Sequence, residues 1–392
     1  MPLRIRILEK QMEGNTPPGI GEIVASIALA RINYFNIYGM MQLYRRAGGA
    51  EALLDAGGDI RDLFPEASPK LVEAFRDTSG AVSYAKAEYE WCTAHGVEAI
   101  PMADQRYPQR LKECEDAPPV LFYKGSAGLN PLRAVCVVGT RRCTQYGQDI
   151  LRRFTADLAV ACPGVVVVSG LAYGIDICAH RNALQNGMET VGVLAHGLDS
   201  LYPPSHRATA VEMVGKGGLL TEYPSGTKAD KMNFVRRNRI VAGMADACIV
   251  VESAAKGGGL ITAKIARDYN REVFAFPGPV DSQASQGCNN LVRDNVASLV
   301  TSAADFVKAM GWEDEAEAHK ARKAGVERPL FPDLTADEEK VVAALSKRND
   351  LQVNMLATQA DMPISRLSAI VFSLEMKGVV KMMAGGACHL YR

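Results

Sequence analysis

The spacing of apolar positions along this chain changes twice, and each change marks a different kind of structure. From about residue 20 to 100 the apolar side chains recur three or four apart: Ile23, Ile27, Leu29 and Ile32, then Leu43, Tyr44, Leu53 and Leu54, then Leu71 and Phe75, then Ala85, Tyr89 and Cys92. That period predicts helices and no strand-like alternation, so residues 1–105 are expected to form a small helical domain. A proline-bearing stretch follows, from Tyr107-Pro108 through Pro118-Pro119 to Pro131, and predicts extended segments and turns.

From Ala134 the texture becomes short β-branched runs that end near glycine and hand over to helix-length segments. The runs are AVCVVG (134–139), VVVVSG (165–170), TVGVLAHG (190–197), GGLLTEYP (217–224), ACIVVES (247–253) and EVFAFPG (272–278). Near-continuous apolar strands alternating with helices predict a parallel sheet covered on both faces. Residues 106–310 are therefore expected to form a doubly wound, Rossmann-like α/β core with its leading extended segment. Residues 311–333, dense in Glu, Lys, Ala and Arg, read as a linker. Beyond it Thr335 and Glu338 form a T-x-x-E capping box ahead of Val341, Val342 and Leu345. A second helix runs to Ala360, and a third carries Ile364, Leu367, Ile370, Val371 and Leu374 on one face. The strands VVKMM and ACHLY, joined through Ala384-Gly385-Gly386, complete a winged helix-turn-helix over 334–392.

Charge then narrows the function. The 44 basic and 44 acidic residues cancel, so any polyanion must be held by a local patch rather than by a net field. Nine cysteines without a C-x-x-C pair read as reduced thiols, and no metal-ligand spacing occurs. Met1 to Met12 lacks a continuous apolar region, and no apolar run approaches the roughly 20 residues that span a bilayer. A cytoplasmic protein with no membrane contact is the expectation.

The candidate chemistry collects where strands end and helices begin, because unpaired N–H groups and the helix dipole favour phosphate there. The first junction is Gly139-Thr140-Arg141, the second Ser169-Gly170 through Gly174, and a later one Gly257-Gly258-Gly259 with Thr262. Gly139 and Gly170 also suit a plain tight turn. Arg141 can grip a phosphate in a bidentate way, or make a surface salt bridge. Between Asn233 and Arg239 the chain packs Phe234, Arg236, Arg237, Asn238 and Arg239, three arginines in seven positions with an aromatic ring on which an unpaired base could stack. The alternative there is a solvated helix start with Phe234 in the core and an arginine paired to Glu222 or Glu252.

Enzymatic readings find less support. The first junction lacks G-x-G-x-x-G, the second strand ends in Ser169 rather than an acidic residue, and no P-loop occurs. Asp176 and His180, four apart on a predicted helix, offer an acid/base pair or a structural contact. An N-glycoside hydrolase of the P-G-G-x-G-T-x-x-E type would need a Glu that Gly257 to Ala263 does not carry. A winged-helix regulator is the other rival. Its third helix, however, presents Ser365, Arg366, Ser368 and Ser373 with only Arg366 and Lys377 basic.

Several spaced strings together resemble the DNA-processing protein A family, DprA or Smf. They are VGTRRCTQYG (138–147), SGLAYGIDICAH (169–180), GLDSLYPPSH (197–206), TEYPSGT (221–227), NFVRRNRIVAGMADACIVVE (233–252), GGGLITAKIA (257–266), VFAFPG (273–278) and GCNNLV (287–292). The resemblance implies a SAM-like helical start, a non-enzymatic protein without cofactor, binding and shielding of single-stranded DNA, and loading of RecA during natural transformation as a homodimer through the central domain. It implies that Arg141, Arg236, Arg237 and Arg239 meet phosphates, that Phe234 meets a base, and that Gly139, Gly170 and Gly258 supply N–H groups. Thr140, Ser169, Asn233, Asn238, Gly257, Gly259 and Thr262 complete the implied set. Departures from the family pattern are Tyr173 for a basic residue, Val235 for Pro, Ala195-His196-Gly197 for a G-x-G turn, His206 for Asn, Asn295 for Gly, and Asn33 to Ile37 for a glycine-rich hairpin turn. Asn295 suits the position if its backbone is left-handed.

Overall fold

The computed structural model describes residues 18–32, 37–55, 60–312, 334–347, 349, 351–382 and 387–390. Met1 to Met12, the Asn33 to Asn36 turn, the linker over 313–333 and the Ala384 to Gly386 turn lie outside the described residues. The chain divides into two compact units, Met1–Glu313 and Asp314–Arg392.

In the first unit every apolar run forms its strand: β3 (Ala134–Val138), β4 (Val166–Ser169), β5 (Thr190–Val193), β6 (Gly217–Thr221), β7 (Ala247–Val250) and β8 (Glu272–Ala275). All residues of β3 and β7 are buried, as a strand covered on both faces requires. These strands run parallel, and a two-residue strand β9 (Ser298–Leu299) extends them. Two antiparallel strands, β1 (Glu98–Pro101) and β2 (Val120–Gly125), close the other edge, where β2 pairs with β6. The order is β1-β2-β6-β5-β4-β3-β7-β8-β9.

β1 lies inside the segment whose helical period predicted only helices. Four residues in the pattern eBBB are too short for a period to show, and pairing with β2 rather than intrinsic alternation holds them extended. The helical segment comprises α1 (Ile20–Ile32), α2 (Ile37–Ala47), α3 (Ala50–Asp55), α4 (Pro69–Arg76) and α5 (Ser79–His95). It has no core of its own: Leu29, Met40, Leu43 and Leu53 belong to the same buried cluster as Ile100, Leu121, Val138 and Val250. Helices α6 (Gln145–Ala161), α7 (Ile175–Gln185), α8 (Arg207–Lys216), α9 (Lys231–Gly243), α10 (Gly258–Asp268), α11 (Gln286–Arg293) and α12 (Ala303–Ala309) cover the sheet. On the other face Phe154, Phe274, Phe276 and Phe306 meet edge to face at 5.0–5.7 Å.

The second unit is a winged helix: α13 (Ala336–Lys347), α14 (Val353–Gln359) and α15 (Ile364–Met376), with a sheet in the order β10-β12-β11. The predicted capping box is present in both directions. Thr335 N–H donates to Glu338 Oε2 at 2.7 Å, and Glu338 N–H donates to Thr335 Oγ1 at 3.4 Å. The hairpin strands are β11 (Val380–Met382) and β12 (Ala387–Leu390), and the short β10 (Leu351–Gln352) adds a third strand beside β12.

α11 ends as the Asn295 reading requires. Asn295 has φ 53°, and Val296 N–H donates back to Leu291 O at 2.8 Å, which turns the chain out of the helix. Asn295→Gly should leave stability unchanged or slightly raised. Asn295→Val should lose about 1–2 kcal/mol in urea denaturation, because a β-branched side chain resists the left-handed region.

Candidate nucleic-acid interface

The sheet order reverses at β3, which lies between β4 and β7, so a crevice opens beyond the carboxyl ends of these three strands. The glycine-bearing junctions all reach it. At the first, however, the phosphate position is already filled. Glu252, at the end of β7 and 2% exposed, accepts Thr144 N–H on Oε2 at 2.8 Å and the Thr144 hydroxyl on Oε1 at 2.7 Å. Thr144 in turn caps α6 by accepting Gly147 N–H. Thr140 N–H donates to Glu252 O at 2.7 Å. A carboxylate on the positive end of α6 supplies the charge a bound phosphate would bring, so Gly139 and Thr140 form a structural turn there rather than an anion cradle.

The second junction is shaped by two histidines. Leu171 is left-handed, with φ 54°. Its N–H donates to His180 Nε2 at 3.3 Å, and its carbonyl accepts from His206 Nδ1 at 2.9 Å. The Thr190 hydroxyl donates to Val167 O at 2.8 Å, so His180 must carry its proton on Nδ1 to donate to Thr190 Oγ1 at 2.7 Å. Both ring nitrogens are therefore engaged in the neutral form. Burial, with Arg237 and His206 nearby, pushes the His180 pKa down to about 3. His180 therefore has no nitrogen left for acid/base work with Asp176, whose carboxyl lies instead beside the Arg237 and Arg141 guanidinium groups. Gly174, with φ 78°, then lets the chain pass the Thr140 carbonyl, against which any Cβ would collide.

α9 explains where the basic cluster goes. Asp230 caps the helix by accepting Met232 N–H at 2.7 Å, and the helical turn then sends Phe234 and Arg237 to one face and Arg236 and Arg239 to another. Arg237 is only 3% exposed; its guanidinium lies beneath Gly170, where a side chain would displace it, and donates to Val193 O at 2.5 Å. Burial lowers its pKa, while the half-buried Asp176 beside it pulls the other way. Above it the Phe234 ring lies 4.9 Å from the exposed Arg141 guanidinium and 5.9 Å from that of Arg237. The exposed Tyr202 meets Phe234 edge to face at 5.7 Å, and the exposed Tyr173 meets His206 at 5.1 Å. The mouth of the crevice is therefore an aromatic and guanidinium surface.

This geometry places several of the implied residues away from the crevice mouth. Arg239 turns away from the crevice to pair with Glu222, with Asp116 at 3.9 Å, which is the salt-bridge alternative the sequence left open. Arg237 supports Phe234 and Gly170 from below and offers no exposed cation. Ser169 is wholly buried and donates to Val137 O at 2.6 Å; Asn233 and Thr262 are buried as well. Gly259 packs against Gly139, where a Cβ would lie 3.1 Å from its Cα, and Gly257 lies against Ser253. Gly258 and Arg141 are exposed, while Phe234, Arg236 and Asn238 are half-buried. Arg142 and Lys256, outside the implied set, are exposed cations on the same junction loops. Tyr202 and Glu252 were also missed: a Tyr-Pro pair and a strand-terminal Glu carry no positional signal until the junctions are folded together.

In the winged helix the two basic groups of α15 are both engaged. Arg366 pairs with Asp337, and Lys377 donates to Glu338 at 2.7 Å, as does the Ser373 hydroxyl. Ser373 is thereby half-buried rather than presented. The lysine first, and then the Thr335 N–H, hold the Glu338 carboxyl down to about 2. Ile364, Phe372 and Met376, at 51%, 66% and 76%, are the large apolar side chains α15 exposes.

Fold and crevice together define a doubly wound α/β protein with an appended winged helix, whose first helix N-terminus is closed to a nucleotide phosphate. Residues 98–311 match the family model for DNA recombination-mediator protein A, and residues 327–386 match the DprA winged helix domain. The Synechocystis protein Smf is 34% identical over 313 residues, covering 72% of this chain and 77% of that protein. Escherichia coli protein Smf is 32% identical over 316 residues, covering 77% and 81%. The X-ray structure of DNA processing protein A from Streptococcus pneumoniae aligns with TM-score 0.58 and 31% identity, over 78% of this chain and 96% of that one. The chain belongs to the DNA recombination-mediator protein A family, DprA or Smf, a family of DNA-processing proteins. Among the described residues no helix is long and apolar enough to cross a membrane.

The His180 geometry sets a pH dependence. Its folded pKa lies below the unfolded 6.5, so the unfolded chain takes up a proton the native state refuses, and stability falls as pH drops from 6.5 toward 3. Between pH 7 and pH 5 the wild type should lose about 2 kcal/mol more than His180→Gln in chemical denaturation. Glu252→Ala should cost about 2 kcal/mol at neutral pH, since it strips the acceptor from buried donors at the start of α6.

Proposed function

We propose that this chain binds single-stranded DNA across the crevice mouth, without sequence preference, and acts by binding rather than by catalysis. Backbone phosphates meet Arg141, Arg142 and Lys256, while unpaired bases lie against Phe234, Tyr202 and Tyr173. The observation that carries this reading is the exposed Arg141 guanidinium lying 4.9 Å from the Phe234 ring, with Tyr202 at its edge. A cation beside a row of aromatic faces suits a flexible strand, because phosphates and base planes alternate along it and every base has a face to stack. Family membership supports the further steps: protection of the strand in the cytoplasm, its transfer to RecA, and action as a homodimer through the central unit. Engagement of both His180 nitrogens and of the Glu252 carboxylate supports the non-catalytic reading.

Fluorescence anisotropy with oligothymidine and a mixed-sequence oligonucleotide tests this. Arg141→Ala and Phe234→Ala should each weaken both by about tenfold, and three neutralised phosphates set a salt slope of about −2. Arg239→Ala should lower stability and leave that slope in place. Unchanged affinity in both crevice variants would overturn the assignment.

A further inference from the structure

Two of the rings at the crevice mouth are carried by loops that rest on the helical segment. Tyr202 lies in the loop after β5, and Phe234 follows the loop after β6, on the first turn of α9. The loops meet at Gly197 and Ser225. Gly197 N–H donates to Thr227 O at 3.0 Å, and a Cβ on Gly197 would lie 2.5 Å from Pro224 O and 3.0 Å from the Ser225 Cα. Glu88 of α5 holds this meeting point from the helical side. Its buried carboxylate accepts Ser225 N–H on Oε1 at 2.7 Å and the Ser225 hydroxyl on Oε2 at 2.6 Å. Bonds to a buried ionised group are strong and tightly oriented, so they fix the backbone of the turn. Leu198 provides a second tie. It packs against the buried cluster of Ile27, Ala85 and Phe122 on the helical side and against that of Leu171 and Leu194 on the crevice side. His196 then links Gly197 to the ring: its Nδ1 donates to Gly197 O at 2.8 Å, and its Nε2 accepts Tyr202 N–H at 3.1 Å.

Tyr202 is exposed, so burial does not hold its ring opposite Phe234; the loop backbone does. We propose that Glu88 is a positioning residue for strand binding, which acts through Ser225 to keep Tyr202 and Phe234 facing one another with their rings open to bases. The helical segment thereby supports the aromatic half of the crevice. Arg141, Arg142 and Lys256 stand on the junctions after β3 and β7, away from the Glu88 contact, so the phosphate half is independent of it. The proposal rests on the assignment of the crevice to single-stranded DNA.

The test uses the full chain with oligothymidine and an abasic strand of equal length, both by anisotropy. The abasic strand reads the phosphate contacts, and the ratio of the two affinities reads the rings. Phe234→Ala should lower that ratio by about tenfold, the worth of one stacked base. Glu88→Ala should lower it by about the same factor while abasic affinity and its salt slope stay as in the wild type. Glu88→Gln should restore most of the ratio, because its amide can still accept Ser225 N–H and donate to the hydroxyl. Ser225→Ala, which removes one of the two bonds at a half-buried loop position, should cost about threefold and serves if Glu88→Ala does not fold. Glu88→Ala with Phe234→Ala should be no worse than Phe234→Ala alone, since both remove the same contact. Hydrogen exchange without DNA should show Gly197 to Tyr202 and Ser225 to Phe234 deprotected in Glu88→Ala, with the parallel strands unchanged. A ratio lowered in Phe234→Ala but unmoved in Glu88→Ala and Ser225→Ala overturns the proposal and leaves the crevice assignment standing. Equal loss toward both strands, or loosening spread through the sheet, marks a merely structural role and overturns it as well. A ratio unmoved in Phe234→Ala overturns the crevice assignment, and this proposal with it.

Discussion

A buried carboxylate governs the functional end of this molecule. Doubly wound sheets ordinarily offer the first helix N-terminus to a phosphate, and here Glu252 occupies that place with both oxygens engaged by Thr144. The consequence is twofold. The junctions of β3 and β7 are locked to one another through a side chain and a backbone bond, Thr140 N–H to Glu252 O. In the proposed binding mode the anionic ligand sits further out, on the exposed guanidinium and rings rather than in a backbone cradle, and a strand is read there by its phosphates and base faces.

The rest of the crevice is built to keep those rings in place. His180 and His206 fix the left-handed Leu171 from its two ends, and Gly170 leaves space for Arg237, which supports the Phe234 ring from within. The His206 imidazole donates to the Leu171 carbonyl at 2.9 Å, a bond that an amide N–H could also make. α9 divides its side chains: its phenylalanine faces the crevice, while Arg236 and Arg239 turn toward the helical segment. That segment shares its core with the sheet, so the two regions are one mechanical unit.

Much of this architecture was legible in the sequence. The six parallel strands announce themselves because buried β-branched runs such as AVCVV and ACIV leave no polar face to dilute the signal. The Thr335–Glu338 box follows from local chemistry alone, and Asn295 is left-handed, the condition under which it suits a position where the resemblance expects Gly. The edge strand β1 was not legible, since four residues held by pairing with β2 have no period of their own. Nor were the directions of the arginines: composition locates a basic cluster, but helical phase decides that Arg237 is buried and that Arg239 meets Glu222. Glu252 and Tyr202 come from segments far apart in the chain and gain their meaning only when β3, β4 and β7 lie side by side.

Photocrosslinking tests the central claim directly. An oligothymidine substituted with 5-iodouracil, irradiated on the full chain and mapped by mass spectrometry, should attach to Phe234, Tyr202 or Tyr173. Crosslinks confined to the winged helix, at Phe372 or elsewhere on α15, would contradict the account.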